Sequence, residues 1–182
     1  MGIASSGITK QARAYGSHES HRIATDVWLT PRWIIDALGE FDLDPCSAPD
    51  TELWPTAREH ITLPDDGLLH VWDGRVWLNP PYGRHIGIWL ERMALHNQGT
   101  ALIFARTETA LFRQHVWRAA SALLFLDRRI VFHRPDGSLP DRTRGGGQAG
   151  APSVLVAYGA DDADRLERSG LSGSFVSGWK TR

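Results

Sequence analysis

A single cysteine, Cys46, occurs in the 182 residues, which excludes an internal disulfide framework and fits a reducing cytoplasm. No apolar run is long enough to cross a bilayer and no signal-peptide pattern follows Met1, so no membrane partner is expected. Net charge is nearly absent: 20 basic side chains meet 21 acidic ones, a balance that singles out no class of partner. Clustered metal ligands are lacking as well. His18 and His21 form a close pair without further donors nearby, so no metal is expected. With 42% apolar residues, the chain has enough for one compact domain and too little length for a large second one.

Charge is unevenly distributed. Residues 101–150 carry eight arginines (106, 113, 118, 128, 129, 134, 142 and 144) against four acids, while the first hundred residues have 8 basic against 13 acidic side chains. One face suited to phosphate and another suited to a cationic ligand would show this pattern; so would ordinary solvated helix faces.

Residues 1–24 are rich in Gly, Ser and Ala without period and are read as a flexible tail. Order is expected from Trp28, with Thr30 as N-cap and Pro31 in the first turn of a helix that presents Ile34, Ile35 and Leu38 and ends at Gly39. Phe41 to Cys46 alternates like a short strand. Asp44 stands at its end, where open α/β sheets bind ligands, although a plain turn cap explains it equally well. Ile61–Leu63 is a further short strand, and Asp73-Gly74 marks a reversal. Residues 85–96 have helical spacing closed by Gly99, Ala101–Phe104 is a buried strand that ends in Ala105-Arg106-Thr107-Glu108-Thr109, and a helix is expected from there to about Ala120. Strand candidates follow at 122–126 and 130–132, then a mobile loop over 135–152, a last strand from Ser153 to Tyr158, and a helix with a loose tail over 161–182. Alternation of strand and helix points to an α/β fold.

The chemistry converges on Val76-Trp77-Leu78-Asn79-Pro80-Pro81-Tyr82. Neither proline donates to a strand ladder, so a buried strand ends abruptly in a rigid loop. The Asn79 side-chain oxygen and the Pro80 carbonyl become acceptors beyond the strand, and Tyr82 adds a flat ring. Acceptors beside a stacking surface suit the exocyclic amine of a planar base; a proline-rich edge loop with Tyr82 packed on the core is the bland alternative.

Asn79-Pro80-Pro81-Tyr82 resembles the catalytic motif of amino-methyltransferases that use S-adenosylmethionine. Trp28-x-Thr30-Pro31, Phe41-Asp42-Leu43-Asp44-Pro45-Cys46 and Asp65-Asp66-Gly67-Leu68 precede it, in the order and spacing of the phage-type DNA N6-adenine methyltransferases of the Dam group. Arg106-Thr107-Glu108-Thr109, Arg129-x-x-Phe132 and Pro152-Ser153 resemble later blocks, so the likeness spans about residues 25–160. It implies a methyltransferase domain over 25–160 with the Rossmann-like class I sheet, helices on both faces, and early βα units trimmed, because Asp44 and Asn79 lie close in sequence. It implies catalysis by Asn79, Pro80, Pro81 and Tyr82 on adenine N6 of double-stranded DNA, the base turned out of the duplex. It also implies S-adenosylmethionine held by Trp28, Thr30, Pro31, Asp44, Pro45, Cys46 and Asp65 or Asp66, in the cytoplasm of a bacterial host. Arg106, Arg129, Arg142 and Arg144 are the expected DNA contacts. One departure stands out: Ser47-Ala48-Pro49 replaces the usual G-x-G turn. Cytosine N4, RNA or a protein glutamine remain alternative substrates, and a non-catalytic DNA-binding module is the alternative from another class.

Overall fold

Alternate side chains of the central strands enter two separate cores, and that division sets the architecture. Val76, Leu78, Ala101, Ile103, Leu123, Val154, Val156 and Tyr158 pack on one face. Trp77, Leu102, Ala122, Leu124, Leu155 and Ala157 pack on the other. Strand side chains point alternately to opposite faces, so runs apolar at every position are buried on both sides.

The computed structural model describes residues 28–49, 52–141 and 148–180. The tail expected over 1–24, with His18 and His21, lies outside the described residues, as do Arg142 and Arg144. Seven strands form one sheet: β1 (Leu43–Asp44), β2 (Glu59–His60), β3 (Val76–Leu78), β4 (Gly99–Phe104), β5 (Ala122–Leu126), β6 (Ser153–Tyr158) and β7 (Gly173–Ser177). Their spatial order is β2-β1-β3-β4-β6-β5-β7. The pairs β2–β1, β1–β3 and β3–β4 are parallel, whereas β6 runs antiparallel between β4 and β5. Helix α2 (Ile86–His96) and the short α3 (Ala110–Phe112), which continues as a π-helical turn over Arg113–Trp117, cover the first face. Helices α1 (Arg32–Leu38) and α4 (Ala160–Arg168) cover the second.

The chain leaves β1 toward β2 on one side and returns to β3 on the other. The carboxyl ends of β1 and β3 are therefore neighbours at the point where the connections diverge, the place where open α/β sheets leave a crevice. Among the described residues no helix lies between β1 and β3; that stretch holds the short β2 and its loops.

Several local expectations are corrected. Helix α1 begins at Arg32 with Pro31 as its N-cap, and no side chain caps it. Thr30 precedes a proline and is disfavoured from helical geometry, and its hydroxyl has another partner. Asn97, in the left-handed region at φ 54°, closes α2 instead of Gly99. Gly99 opens β4, where a Cβ would lie 2.1 Å from the Val76 carbonyl oxygen. The strand expected at Ile61–Leu63 falls two residues earlier, at β2. The helix expected after Thr109 does start at Ala110, where the Thr109 hydroxyl accepts from the Phe112 N–H, but its π-helical continuation ends at Trp117 and not at Ala120. Residues 130–132 make an isolated bridge, Val131 to Gln148, without forming a named strand. Residues 135–141 and 148–152, expected within a mobile loop, include a turn at Asp136–Ser138 and the buried Ala149. The loose tail contains β7, paired with β5 from Leu126 back to Ala122.

Candidate active site

The loop after β1 and the loop after β3 meet through Cys46 and Asn79. The Cys46 thiol donates to the Asn79 backbone oxygen at 3.4 Å. Burial, and then the neighbouring Asp44 carboxylate, push this thiol well above its ordinary pKa, so it stays protonated and is no nucleophile.

Asn79 is held from the other side by the segment that enters α1. Its Nδ2 donates to Thr30 Oγ1 at 3.3 Å, and Thr30 is itself buried. Two anchors fix that segment: Leu29 exchanges backbone hydrogen bonds with His133, and the Trp54 indole donates to the Thr30 carbonyl at 2.7 Å. Arg32 reaches over the Trp54 ring and His133 lies against it, so three elements converge on Thr30. The other carboxamide atom, Asn79 Oδ1, is shielded from solvent and has no hydrogen-bond partner among the described residues. An unpaired acceptor in such a place costs about 1–3 kcal/mol, a cost that a ligand donor would relieve.

Asp44, the last residue of β1, is 4% exposed. One carboxylate oxygen accepts from the Cys46 N–H at 3.1 Å and the other from the Thr56 hydroxyl at 2.5 Å. Burial pushes its pKa up to about 6, against the opposing effect of those two hydrogen bonds. Asp44 does cap the turn after β1. Thr56 is set by His60 at the end of β2, whose Nε2 accepts from the backbone N–H groups of Thr56 and Ala57.

The loop bearing Asp65 and Asp66 closes onto this group. Gly67 packs so tightly on Pro45 that a Cβ would lie 1.8 Å from the Pro45 carbonyl oxygen. Asp65 and Asp66 are exposed beside it, and Asp66 caps the following turn by accepting from the Leu68 N–H. Trp28 is half-buried against the α1 face. Pro80 is buried, whereas Pro81 and Tyr82 are exposed. The Tyr82 ring lies on Phe104, the last residue of β4, and the exposed Arg106 guanidinium stands over Phe104.

Thr30, Pro31, Asp44, Pro45, Cys46, Asn79 and Pro80 thus belong to one constellation, with Tyr82 and Arg106 joined through Phe104. Arg129 is tied elsewhere: its Nη1 donates to the Ala149 carbonyl at 2.9 Å. Thr56, His60 and Phe104 escaped sequence reasoning; Thr56 and Phe104 sit in no local motif, and the only sign of His60 is its place just before the stretch expected as a strand. A cleft of about 450 Å³ with Glu40, Asp42, Arg58, Arg75 and Asp162 in its wall opens at the opposite, amino end of the strands. Among the described residues no group of three or more His, Cys, Asp or Glu could hold a metal ion, and no helix is long and apolar enough to cross a membrane.

A carboxamide oxygen without a partner among the described residues, a buried carboxylate at the next strand end and an aromatic platform thus stand at the carboxyl edge of the parallel strands. No curated protein and no solved structure matches the chain significantly. The family model described as DNA N-6-adenine-methyltransferase (Dam) matches residues 17–159, which is well over half of the chain. The chain belongs to the Dam family of DNA N6-adenine methyltransferases.

Proposed function

We propose that the chain methylates N6 of an adenine turned out of duplex DNA, with S-adenosylmethionine as donor and Asn79 as the residue that receives the amine. The observation that carries this is the buried Asn79 Oδ1 at the carboxyl end of β3, an acceptor that no group among the described residues satisfies.

The nitrogen to be methylated is a poor nucleophile, because its lone pair is delocalised into the ring. Asn79 Oδ1 and the Pro80 carbonyl accept its two N–H groups. This draws the nitrogen toward tetrahedral geometry and frees the lone pair from the ring. The same two oxygens stabilise the positive charge that develops on nitrogen, which is positioning combined with electrostatic stabilisation. Tyr82 stacks on the extruded base, and its seat on Phe104 holds the ring in place beforehand. Arg106, exposed beside the stack, meets a phosphate.

S-adenosylmethionine supplies a methyl group already activated on a sulfonium, so no nucleophilic side chain is required. The residues present fit it. Asp44 is a buried carboxylate whose ionised form is costly, and a cationic ammonium group beside it offsets that cost. Thr30 and Pro31, Pro45 and Cys46, and Asp65 or Asp66 across Gly67 complete the surround. The strand order, with the divergence between β1 and β3 and the inserted antiparallel β6, supports the Rossmann-like class I sheet. Loops without helices between β1 and β3 support the trimmed form.

Incubation of the purified chain with unmethylated duplex DNA and methyl-labelled S-adenosylmethionine, followed by nucleoside analysis, tests this. Label in N6-methyladenine is expected. Label in cytosine, or none with an intact protein, overturns it.

A further inference from the structure

We infer that Arg92 of helix α2 is a positioning residue that holds the Asp65–His70 loop in the shape that receives the cofactor. The inference rests on the reading that places Asp65 or Asp66 at S-adenosylmethionine. It goes beyond that reading, because it makes cofactor affinity depend on a residue of another element.

The chain between β2 and β3 forms no helix or further strand, so the loop's backbone groups have no ladder to pair with. Apolar packing fixes the loop only weakly: Leu63, Leu69 and Val71 are exposed, and Leu68 alone among these side chains turns toward the core. Side chains from outside supply the missing partners. Arg92 donates from Nη1 to the Leu68 carbonyl at 3.2 Å and from Nη2 to the His70 carbonyl. The Trp72 indole donates to the Gly67 carbonyl at 2.8 Å. A planar guanidinium fork keeps two such carbonyls at a fixed separation.

The clasp is braced on its helix. The Arg92 guanidinium carbon lies 5.0 Å from the Trp72 ring centroid, and Trp72 stacks in turn on Trp89, one turn before Arg92 on α2. Within the loop, the Asp66 carboxylate accepts from the Leu68 N–H and its carbonyl from the Leu69 N–H, so the acids ride on a closed turn. Gly67 sets that turn against Pro45. Contacts thus run unbroken from α2 through the loop to the segment after β1. A loop held in this way beforehand need not be ordered when the cofactor binds, and such preorganisation is read out as affinity.

Arg92→Met keeps a long apolar stem and removes both donors. Arg92→Lys keeps the charge over Trp72 but not the fork. Each is compared with the parent by melting temperature, calorimetric binding of S-adenosylmethionine, KM for DNA and single-turnover methyl transfer at saturating cofactor. Arg92→Met is expected to weaken cofactor binding about five- to thirtyfold, the scale of ordering one loop residue on binding. Arg92→Lys should weaken it in the same sense. Transfer at saturating cofactor and KM for DNA should stay within about twofold. The double variant Asp65→Asn, Asp66→Asn is the control. In that background Arg92→Met should cost little further affinity, because the clasp acts through those acids.

Unchanged cofactor affinity in Arg92→Met, or in Arg92→Lys where the methionine variant does not fold, overturns the inference. So does a loss that is just as large without the two acids, or a loss of transfer rate at saturating cofactor. The acid variants separate the two levels. If replacing both acids leaves cofactor affinity unchanged, the reading that this loop holds S-adenosylmethionine is wrong. If that replacement weakens binding while Arg92→Met does not, only the role of Arg92 is wrong.

Discussion

The Tyr82 ring lies face to face on Phe104, with centroids 4.2 Å apart and planes 15° from parallel. One face of Tyr82 is therefore committed to the protein and the other is left for a base. A stacked pair of this kind is worth roughly 0.5–1.5 kcal/mol beyond its buried area. Phe104→Leu is expected to leave cofactor affinity unchanged and to raise KM for DNA by about two- to tenfold, the same energy expressed as affinity. Steady-state kinetics with duplex DNA checks this, and an unchanged KM would count against Tyr82 as the platform.

Asp44 makes a pH-dependent contribution of calculable sign. Its folded-state pKa, pushed up from 3.8 to about 6 by burial, lies above the ordinary carboxyl value. The fold therefore prefers the protonated form: that stability is fully present below about pH 4 and is lost as pH rises to about 6. The displacement corresponds to about 3 kcal/mol, and Asp44→Asn should abolish that part of the pH dependence in urea unfolding. Cofactor affinity should move the opposite way in the parent, rising with pH through about 6 as the carboxylate ionises to meet an ammonium group. Calorimetry from pH 5 to 8 checks it; equal slopes in parent and Asp44→Asn would remove Asp44 from the cofactor site. Asp44→Ala is a poorer probe. It strands the Cys46 N–H and the Thr56 hydroxyl, about 1–3 kcal/mol for each group left unpaired.

Arg106 is exposed beside the Tyr82–Phe104 stack, at the rim where a duplex carrying an extruded base would lie. Arg106→Ala is expected to weaken DNA binding and to reduce the slope of log affinity against log salt by about one, the signature of one lost phosphate contact. Titrations at several salt concentrations decide it. A parallel shift without a change of slope would mean that Arg106 contacts no phosphate.

Legibility in the sequence followed burial. Strands β3, β4, β5 and β6 were readable because unbroken apolar runs are buried on both faces, and Asn79-Pro80-Pro81 marked where β3 had to stop. Strand β7 was not, because Gly173, Ser174 and Ser177 are exposed at the sheet edge and no apolar alternation betrays them. Thr30 had the local signature of a helix cap, yet its hydroxyl partner stands 49 residues away, beyond any window of local pattern. The Thr56–Asp44 bond spans twelve residues of irregular chain for the same reason. Phe104 read as the last residue of a buried strand, and nothing local told that its ring lies against Tyr82. Local chemistry is written in neighbouring residues; the orientation of a site is written in contacts between distant ones.

The most direct test of Asn79 as the residue that receives the amine is single-turnover methyl transfer by Asn79→Ala, with melting temperature, cofactor binding and DNA binding measured on the same protein. The change strands the buried Thr30 hydroxyl, so stability should fall by about 1–3 kcal/mol, while both affinities should be almost unchanged. Transfer to adenine should fall by about a hundredfold or more, the scale for removing one preorganised polar group at a reacting centre. An Asn79→Ala protein that binds cofactor and DNA and still methylates at the parent rate would contradict the mechanism.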